Sequence, residues 1–295
     1  MVLRLADGTT IRDLHRPPQG MRHRVLFGVE ESSGREVAAK IELIPGALEP
    51  ERRALEWLTS RGGPAPRLLA SGPLADSEEH PGALCLVTDR VAGTPPTSTD
   101  GWGRLGGALA RLSQVPWEGS GLPALDHDAF LRLHESRVAE LGEEMRRDLH
   151  AALPAVPRAY ADSPLTLTHG DPGPGNFLDD GADGFLIDWE DAVVAPRGLD
   201  LGRATFIALL GAGPEGYVAD EHAARARAVR SGFLAESGEP PPGDDDLTWW
   251  LAVAGIQFGH RRLERAGEPG VLSWFDAVTV LEAALGPGAS GRVSA

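Results

Sequence analysis

The chain has 295 residues, 42% hydrophobic and 24% charged, enough for one large core or two small ones, and a formal net charge of -15. That charge argues against a nucleic-acid partner, which it would repel, and is compatible with a cationic small molecule. No run approaches the roughly 20 apolar residues of a membrane helix. The N-terminus lacks the apolar core of a signal peptide, and the single cysteine, Cys85, makes no internal disulfide, so a cytoplasmic setting with no membrane partner is expected.

Met1–Leu5 and Thr9–Leu14 read as strands flanking the turn Ala6-Asp7-Gly8. After a Pro-rich loop, Val25–Glu30 and Glu36–Leu43 flank a second turn at Glu31–Arg35. Pro50 opens a helix that runs to about Ser60, with Leu55 and Leu58 three apart, and Pro64 and Pro66 stop it. Arg67–Ser71 and Ala83–Arg90 read as strands, and Cys85 within the second reads as a buried small hydrophobe. Val91–Pro96 is a Gly/Pro linker at which the composition changes. Beyond it the pattern is helical over about 102–114, 127–150, 200–210, 217–236, 245–266 and 271–285. Leu165–Glu190 interrupts it and reads as two short apolar strands around the turn Asp179–Gly184. The expected architecture is α+β and bilobal. A small β-sheet lobe with one main helix, residues 1–92, joins a larger, mostly helical lobe, residues 93–295, with a cofactor site in the cleft between them.

Two residues stand apart in composition. Among 28 cations the only lysine is Lys40, and the only asparagine is Asn176. Lys40 ends the apolar run Val37-Ala38-Ala39, which presents one compact ammonium at a strand end where the wide fork of an arginine would overfill a site shaped for one phosphate oxygen. Asn176 closes His169-Gly170-Asp171-Pro172-Gly173-Pro174-Gly175-Asn176, and Phe185-Leu186-Ile187-Asp188 follows as an apolar strand ending in a carboxylate. His-x-Asp-x4-Asn is the spacing of a phosphotransferase catalytic loop. Asp171 there orients the acceptor hydroxyl and takes its proton, Asn176 and Asp188 hold Mg²⁺ on the nucleotide phosphates, and Lys40 pairs with those phosphates from the other lobe. Lys40 needs an orienting carboxylate. Glu51 and Glu56 on the following helix both qualify; Glu51, in the first turn, is preferred, and the competing role for either is a solvated helix face.

Thr168–Asn176 with Leu186–Glu190 resembles the aminoglycoside phosphotransferase and choline kinase family, relatives of the protein kinases. Glu36–Lys40, Glu51–Leu55, Pro64–Ala70, Leu86–Gly93 and Ala195–Leu201 are similar to further segments of that family, so the resemblance covers most of the chain. It implies a protein kinase-like fold, ATP and Mg²⁺ as cofactors, Asp171 as base, Asn176 and Asp188 as metal ligands, and Lys40 as the phosphate lysine. It makes His169 a structural support of the loop and Asp200 an acceptor of loop amides. It puts adenine against a hinge, with Asp89 and Val91 offering a backbone carbonyl and amide and Thr88 at the back of the pocket. Three departures matter. The loop over the phosphates, Gln19–His23, has one glycine, Gly20, instead of several. Gly170 stands where protein kinases carry an arginine that reads a phosphorylated loop. Only twelve residues separate Asp188 from Asp200, with no room for a platform that binds a protein substrate.

A small-molecule hydroxyl is therefore the expected acceptor. An aminoglycoside or other antibiotic leads, giving resistance by O-phosphorylation. The alternatives are a metabolite kinase acting on choline, homoserine or a sugar, and a nucleotide-binding pseudokinase, which the intact set Lys40, Asp171, Asn176 and Asp188 opposes. Glu190 and Asp191, next to a metal ligand, are the best-placed residues to bind a cationic acceptor; Asp126, Asp128, Glu264 and Glu268 are weaker candidates. Trp249, Trp250 and Trp274 are candidates to stack on an acceptor, with core packing as the competing role.

Overall fold

The structure, a computed structural model, describes residues 2–17, 24–75, 80–140, 155–161, 164–210, 219–238 and 249–257. The N-terminal part is a six-stranded antiparallel sheet built from β1 (Leu3–Arg4), β2 (Thr10–His15), β3 (Arg24–Glu30), β4 (Glu36–Ile41), β5 (Leu68–Pro73) and β6 (Leu84–Asp89), in the order β1-β2-β3-β4-β6-β5. β4 alternates as a strand must: Val37, Ala39 and Ile41 enter a core with Leu26, Cys85 and Val87, while Lys40 takes the opposite face beside its register partner Leu86. Helix α1 (Glu49–Arg61) has a proline in its first turn and ends on Gly62, whose φ of 78° is the left-handed conformation that stops a helix. Its buried face is Glu51, Ala54, Leu55 and Leu58, the i, i+3, i+4, i+7 stripe, and Leu55 and Leu58 join the cluster that holds Leu86.

The C-terminal part is mostly helical. Helices α2 (Thr99–Ser113), α3 (His127–Glu140), α4 (Ala155–Ala161), α5 (Gly198–Leu210) and α6 (Ala219–Ser237) are followed by a helical stretch at residues 249–257. Ser98 caps α2 by accepting from the Gly101 amide at 3.1 Å. The interruption at Leu165–Glu190 holds three short strands rather than two, and a fourth follows it. β7 (Leu165–Thr168) pairs with β10 (Val193–Pro196), and a separate hairpin joins β8 (Phe177–Leu178) to β9 (Phe185–Leu186). The expected turn at Asp179–Gly184 is the tip of that hairpin. β10 and α4 are absent from the sequence reading: one is a strand of four residues, the other a seven-residue helix containing Pro157, both too short to carry a periodicity. The outer parts of the helices expected over 127–150 and 245–266, and all of 271–285, lie outside the described residues.

α2 and α6 cross with their backbones in contact. A Cβ on Gly106 would fall 1.9 Å from the Val229 carbonyl oxygen, and one on Gly232 would fall 1.9 Å from that of Gly103. Gly106→Ala forces the helices apart and should cost about 1–3 kcal/mol, read as a lower melting temperature. Gly107→Ala, whose Cβ meets nothing nearer than 3.7 Å, should be neutral or stabilising by up to about 1 kcal/mol. Equal effects from the two variants would refute the contact.

A second core gathers Phe130, Val156, Ala159, Ala195, Leu199 and Trp250. His134 is fully buried beside it, 4.3 Å centroid to centroid from Phe130, with Nδ1–H donating to the Phe130 carbonyl at 2.7 Å. Burial pushes this imidazole down to about 4, Arg137 adds to the effect, and the Phe130 carbonyl opposes it. The unfolded chain protonates His134 near the ordinary value of about 6.5, so stability is lost as pH falls from there to about 4, by up to about 3 kcal/mol. Denaturant titrations should show that dependence flattened in His134→Leu within this window and unchanged above it.

Candidate active site

The Lys40 ammonium lies 2.5 Å from Glu51 Oε2 and 2.5 Å from Asp188 Oδ1, joining β4, α1 and the segment after β9. Burial works against its charge, but the two carboxylates outweigh that cost and hold its pKa above the ordinary lysine value. Glu51 is 5% exposed on the apolar stripe of α1, where a carboxylate is tolerated only when paired. Glu56 lies off that stripe and accepts from Arg52 instead. α1 is tied to the segment after α2 by Trp57 Nε1, which donates to the Pro116 carbonyl at 2.6 Å, and by Arg53, which donates to the Gly121 carbonyl at 3.0 Å.

Asp188 has a φ of 66°, a left-handed conformation that costs a residue with a Cβ. Its neighbours hold it there. The Ile187 amide donates to the Asn176 carbonyl at 2.9 Å, and Trp189, fully buried, donates from Nε1 to the Leu186 carbonyl and packs 4.6 Å from the His169 ring. The Nε2–H tautomer of His169 satisfies both of its contacts, donating to the Ile187 carbonyl at 2.9 Å and accepting the Asp171 amide on Nδ1 at 3.3 Å. His169 is therefore a strut between the Asp171 loop and the Asp188 segment.

Asp200, 4% exposed in the first turn of α5, takes the His169 amide on Oδ2 at 2.6 Å and the Gly170 amide on Oδ1 at 2.9 Å. Burial pushes its pKa up against these two amides, His169 and Arg203, which favour the ionised form. Gly170 has a φ of 80°, and a Cβ there would sit 2.1 Å from the Asp191 carbonyl oxygen. The absence of the protein-kinase arginine at this position thus has a steric reason as well as a functional one. Asn176 donates from Nδ2 to the Asp171 carbonyl at 2.9 Å, which leaves Oδ1 as its acceptor atom. Among the described residues no three His, Cys, Asp or Glu side chains cluster as a metal site. Asn176 Oδ1 and the Asp188 carboxylate are two hard oxygen donors, a set that fits a Mg²⁺ ion taking its other ligands from phosphate and water.

Sequence reasoning missed Arg203. Its guanidinium pairs through Nη2 with Asp171 Oδ1 and donates from Nη1 to the Gly170 carbonyl at 2.9 Å. The signal was present: Arg203 is the one cation in the apolar helix Gly198–Leu210, three residues after Asp200. It also missed Asp179, read as a turn residue. Asp179 bridges to Thr94 of the linker through two backbone bonds, and its carboxylate takes Arg104 at 2.6 and 2.8 Å. Gly93, with a φ of 142°, lets the linker approach, since a Cβ there would meet the Asp179 carbonyl oxygen at 2.9 Å.

At the hinge, Thr88 pairs with Ala38 and Leu68, the Asp89 amide donates to the Arg67 carbonyl at 3.0 Å, and the Asp89 carboxylate meets Arg35 at 3.3 Å. Among the described residues no backbone bond occupies the Val91 amide. Asp191 lies against the Asp171 loop, with Glu190 beside it; both are partly buried. Asp126 caps α3 by accepting from the Ala129 amide at 2.7 Å, and Asp128 lies in that helix's first turn. Trp250 is core, and Trp249 is half-buried with Arg158 5.9 Å from its ring. Gly20, Glu264, Glu268 and Trp274 lie outside the described residues.

A small antiparallel sheet with one helix, set on a helical body and meeting it at a Lys–Glu–Asp cluster, defines a protein kinase-like fold. The model of the phosphotransferase enzyme family (APH) matches residues 13–233, and the chain belongs to that family. It is a small-molecule phosphotransferase. Among solved structures, a choline/ethanolamine kinase family protein from Mesorhizobium loti is similar at 17% identity and a TM-score of 0.61, over 96% of this chain and 91% of that one. Aminoglycoside phosphotransferase APH(4)-Ia is similar at 12% identity and a TM-score of 0.63, over 92% and 94%. An amicoumacin kinase in complex with AMP-PNP, Ca²⁺ and Ami is similar at 15% identity and a TM-score of 0.56, over 92% and 88%. A search of curated proteins by sequence gives no match. Among the described residues no helix is long and apolar enough to cross a membrane.

Proposed function

We propose that the protein transfers the γ-phosphoryl group of ATP, with Mg²⁺, to a hydroxyl of an aminoglycoside or other antibiotic. The observation that carries the nucleotide half is the Lys40 cluster: one ammonium held 2.5 Å from Glu51 and 2.5 Å from Asp188, with Asn176 bonded to the Asp171 carbonyl. In this reading residues 1–92 form the nucleotide lobe and residues 93–295 the acceptor lobe. Glu51 aims Lys40 at the phosphates, and the Asp89 carbonyl and Val91 amide receive adenine in front of Thr88.

Asn176 Oδ1 and the Asp188 carboxylate would hold Mg²⁺, which, when bound, would neutralise charge on the phosphate oxygens. Lys40 must then give up part of its contact with Asp188 to the nucleotide. The acceptor oxygen forms a bond to the γ-phosphorus, the bond from that phosphorus to the β-bridging oxygen breaks, ADP leaves, and the hydroxyl proton passes to the Asp171 carboxylate. Positioning carries most of the rate in such a transfer, because the transition state is loose and its charge is spread over several oxygens.

The acceptor half rests on charge. Glu190 and Asp191 directly follow the metal-binding Asp188, the chain carries a net charge of -15, and both features suit a polycationic antibiotic. Transfer of labelled γ-phosphate from ATP into a panel of aminoglycosides, macrolides, choline, homoserine and sugars tests this reading. Turnover on a cationic antibiotic that weakens in Glu190→Gln and Asp191→Asn supports it. Turnover only on a metabolite replaces the acceptor, and ATP binding without any transfer overturns the enzymatic reading.

A further inference from the structure

We infer that Arg203 is a positioning residue for the Asp171 carboxylate, acting from α5 through a two-point grip on the Gly170–Asp171 segment. The inference deepens the proposed function and rests on Asp171 being the group that receives the acceptor's proton. Arg203 is 8% exposed, and its guanidinium is a rigid planar fork. One nitrogen takes the Gly170 carbonyl at 2.9 Å and another takes Asp171 Oδ1. The torsion of the carboxylate is thereby coupled to the backbone next to it. The same turn of α5 supplies Asp200, which holds the His169 and Gly170 amides at 2.6 and 2.9 Å. Residues 200 and 203 lie on one face of the helix, so a single helical turn grips three consecutive loop residues at amide, carbonyl and carboxylate.

The loop cannot provide such a cation itself. Residue 170 has no room for a side chain, because a Cβ would meet the Asp191 carbonyl oxygen at 2.1 Å. The Asp171 backbone is already held, its carbonyl accepting from Asn176 Nδ2 and from the Gly173 amide at 2.8 Å. What remains to be fixed is the side-chain torsion, and that is what Arg203 contacts. A guanidinium beside a base favours its charged form and so weakens it as a proton acceptor. In a loose phosphoryl transfer little proton removal is needed at the barrier, and orientation is worth more than basicity. A lysine at 203 would keep the charge but could not span both acceptors in one plane.

Arg203→Lys and Arg203→Gln test this, with melting temperature used to select the variant that stays folded at the assay temperature. On whichever acceptor the wild type phosphorylates, turnover should fall about 10²-fold while the KM for ATP changes less than about twofold, because the nucleotide contacts are elsewhere. Arg203→Ala should recover part of that turnover with millimolar guanidinium and none with equal ammonium. In an Asp171→Ala background the Arg203 change should cost nothing further, as expected of residues acting as a unit. Unchanged turnover, a KM for ATP that rises in step, or an additive loss would overturn the inference. Crystal structures of the wild type and Arg203→Gln provide a readout independent of any acceptor. The Asp171 carboxylate should leave its wild-type rotamer in the variant, and an unmoved carboxylate overturns the inference whether or not the antibiotic reading holds.

Discussion

Replacing Asp171 with alanine should lower phosphate transfer by roughly 10²–10⁴-fold, the range for a positioned acid–base group, with ATP affinity nearly unchanged. The split follows from the geometry. The nucleotide contacts are assigned to Lys40, Asn176 and Asp188, and none of their described hydrogen bonds uses the Asp171 side chain, since Asn176 bonds only the Asp171 backbone carbonyl. Asp171→Asn is the sharper version. It keeps the volume and an oxygen for the Arg203 fork but removes the basic carboxylate, so it should preserve the loop and still lose most of the turnover. Steady-state kinetics with ATP binding measured separately check both variants. Near-normal turnover in either would remove Asp171 from its role, and a matching loss of ATP affinity would make it part of the nucleotide site instead.

The sequence made some parts of this site legible and hid others for identifiable reasons. Lys40 and Asn176 stand out because each is the single residue of its type in the chain, and the spacing of Asp171, Asn176 and Asp188 is local enough to read along the chain. Position in the first turn of α1 favours Glu51 over Glu56, and the structure supplies a stronger reason. Residues 51, 54, 55 and 58 form one buried stripe, and that stripe could have been counted directly. Arg203 was passed over because a lone charge in an apolar helix reads as surface until its partner is known, and that partner, Asp171, is distant in sequence. The same is true of Arg104 and Asp179, 75 residues apart. β10 is hidden because Val193–Pro196 is only four residues long and is fixed as a strand by pairing with β7. The glycine at 170 was legible as a departure from protein kinases, but its steric cause needed the position of the Asp191 carbonyl.

Lys40→Arg should lower turnover by about 10²-fold although it conserves charge, the effect expected when a reacting group is displaced by about 1 Å. The ammonium sits 2.5 Å from two carboxylates on different elements, and the lysine side chain is 14% exposed. A guanidinium is wider and planar and cannot occupy that point without moving a partner. Glu51 cannot retreat easily, because α1 is tied down at Trp57–Pro116 and Arg53–Gly121 and packed through Leu55 and Leu58. Asp188 is held by Ile187 and Trp189 in a strained conformation with little slack. In the proposed reading the displacement therefore falls on the Asp188 carboxylate or on the phosphates, and either shift misaligns the γ-phosphorus. Lys40→Ala separates chemistry from stability. It leaves Glu51 buried beside no ammonium and should destabilise the fold by about 3–5 kcal/mol, whereas Lys40→Arg should keep most of the wild-type melting temperature. Kinetics and thermal unfolding on both variants distinguish the two effects. A fully active Lys40→Arg would show that this position needs only a positive charge, and the reason offered for the chain's single lysine would fall with it.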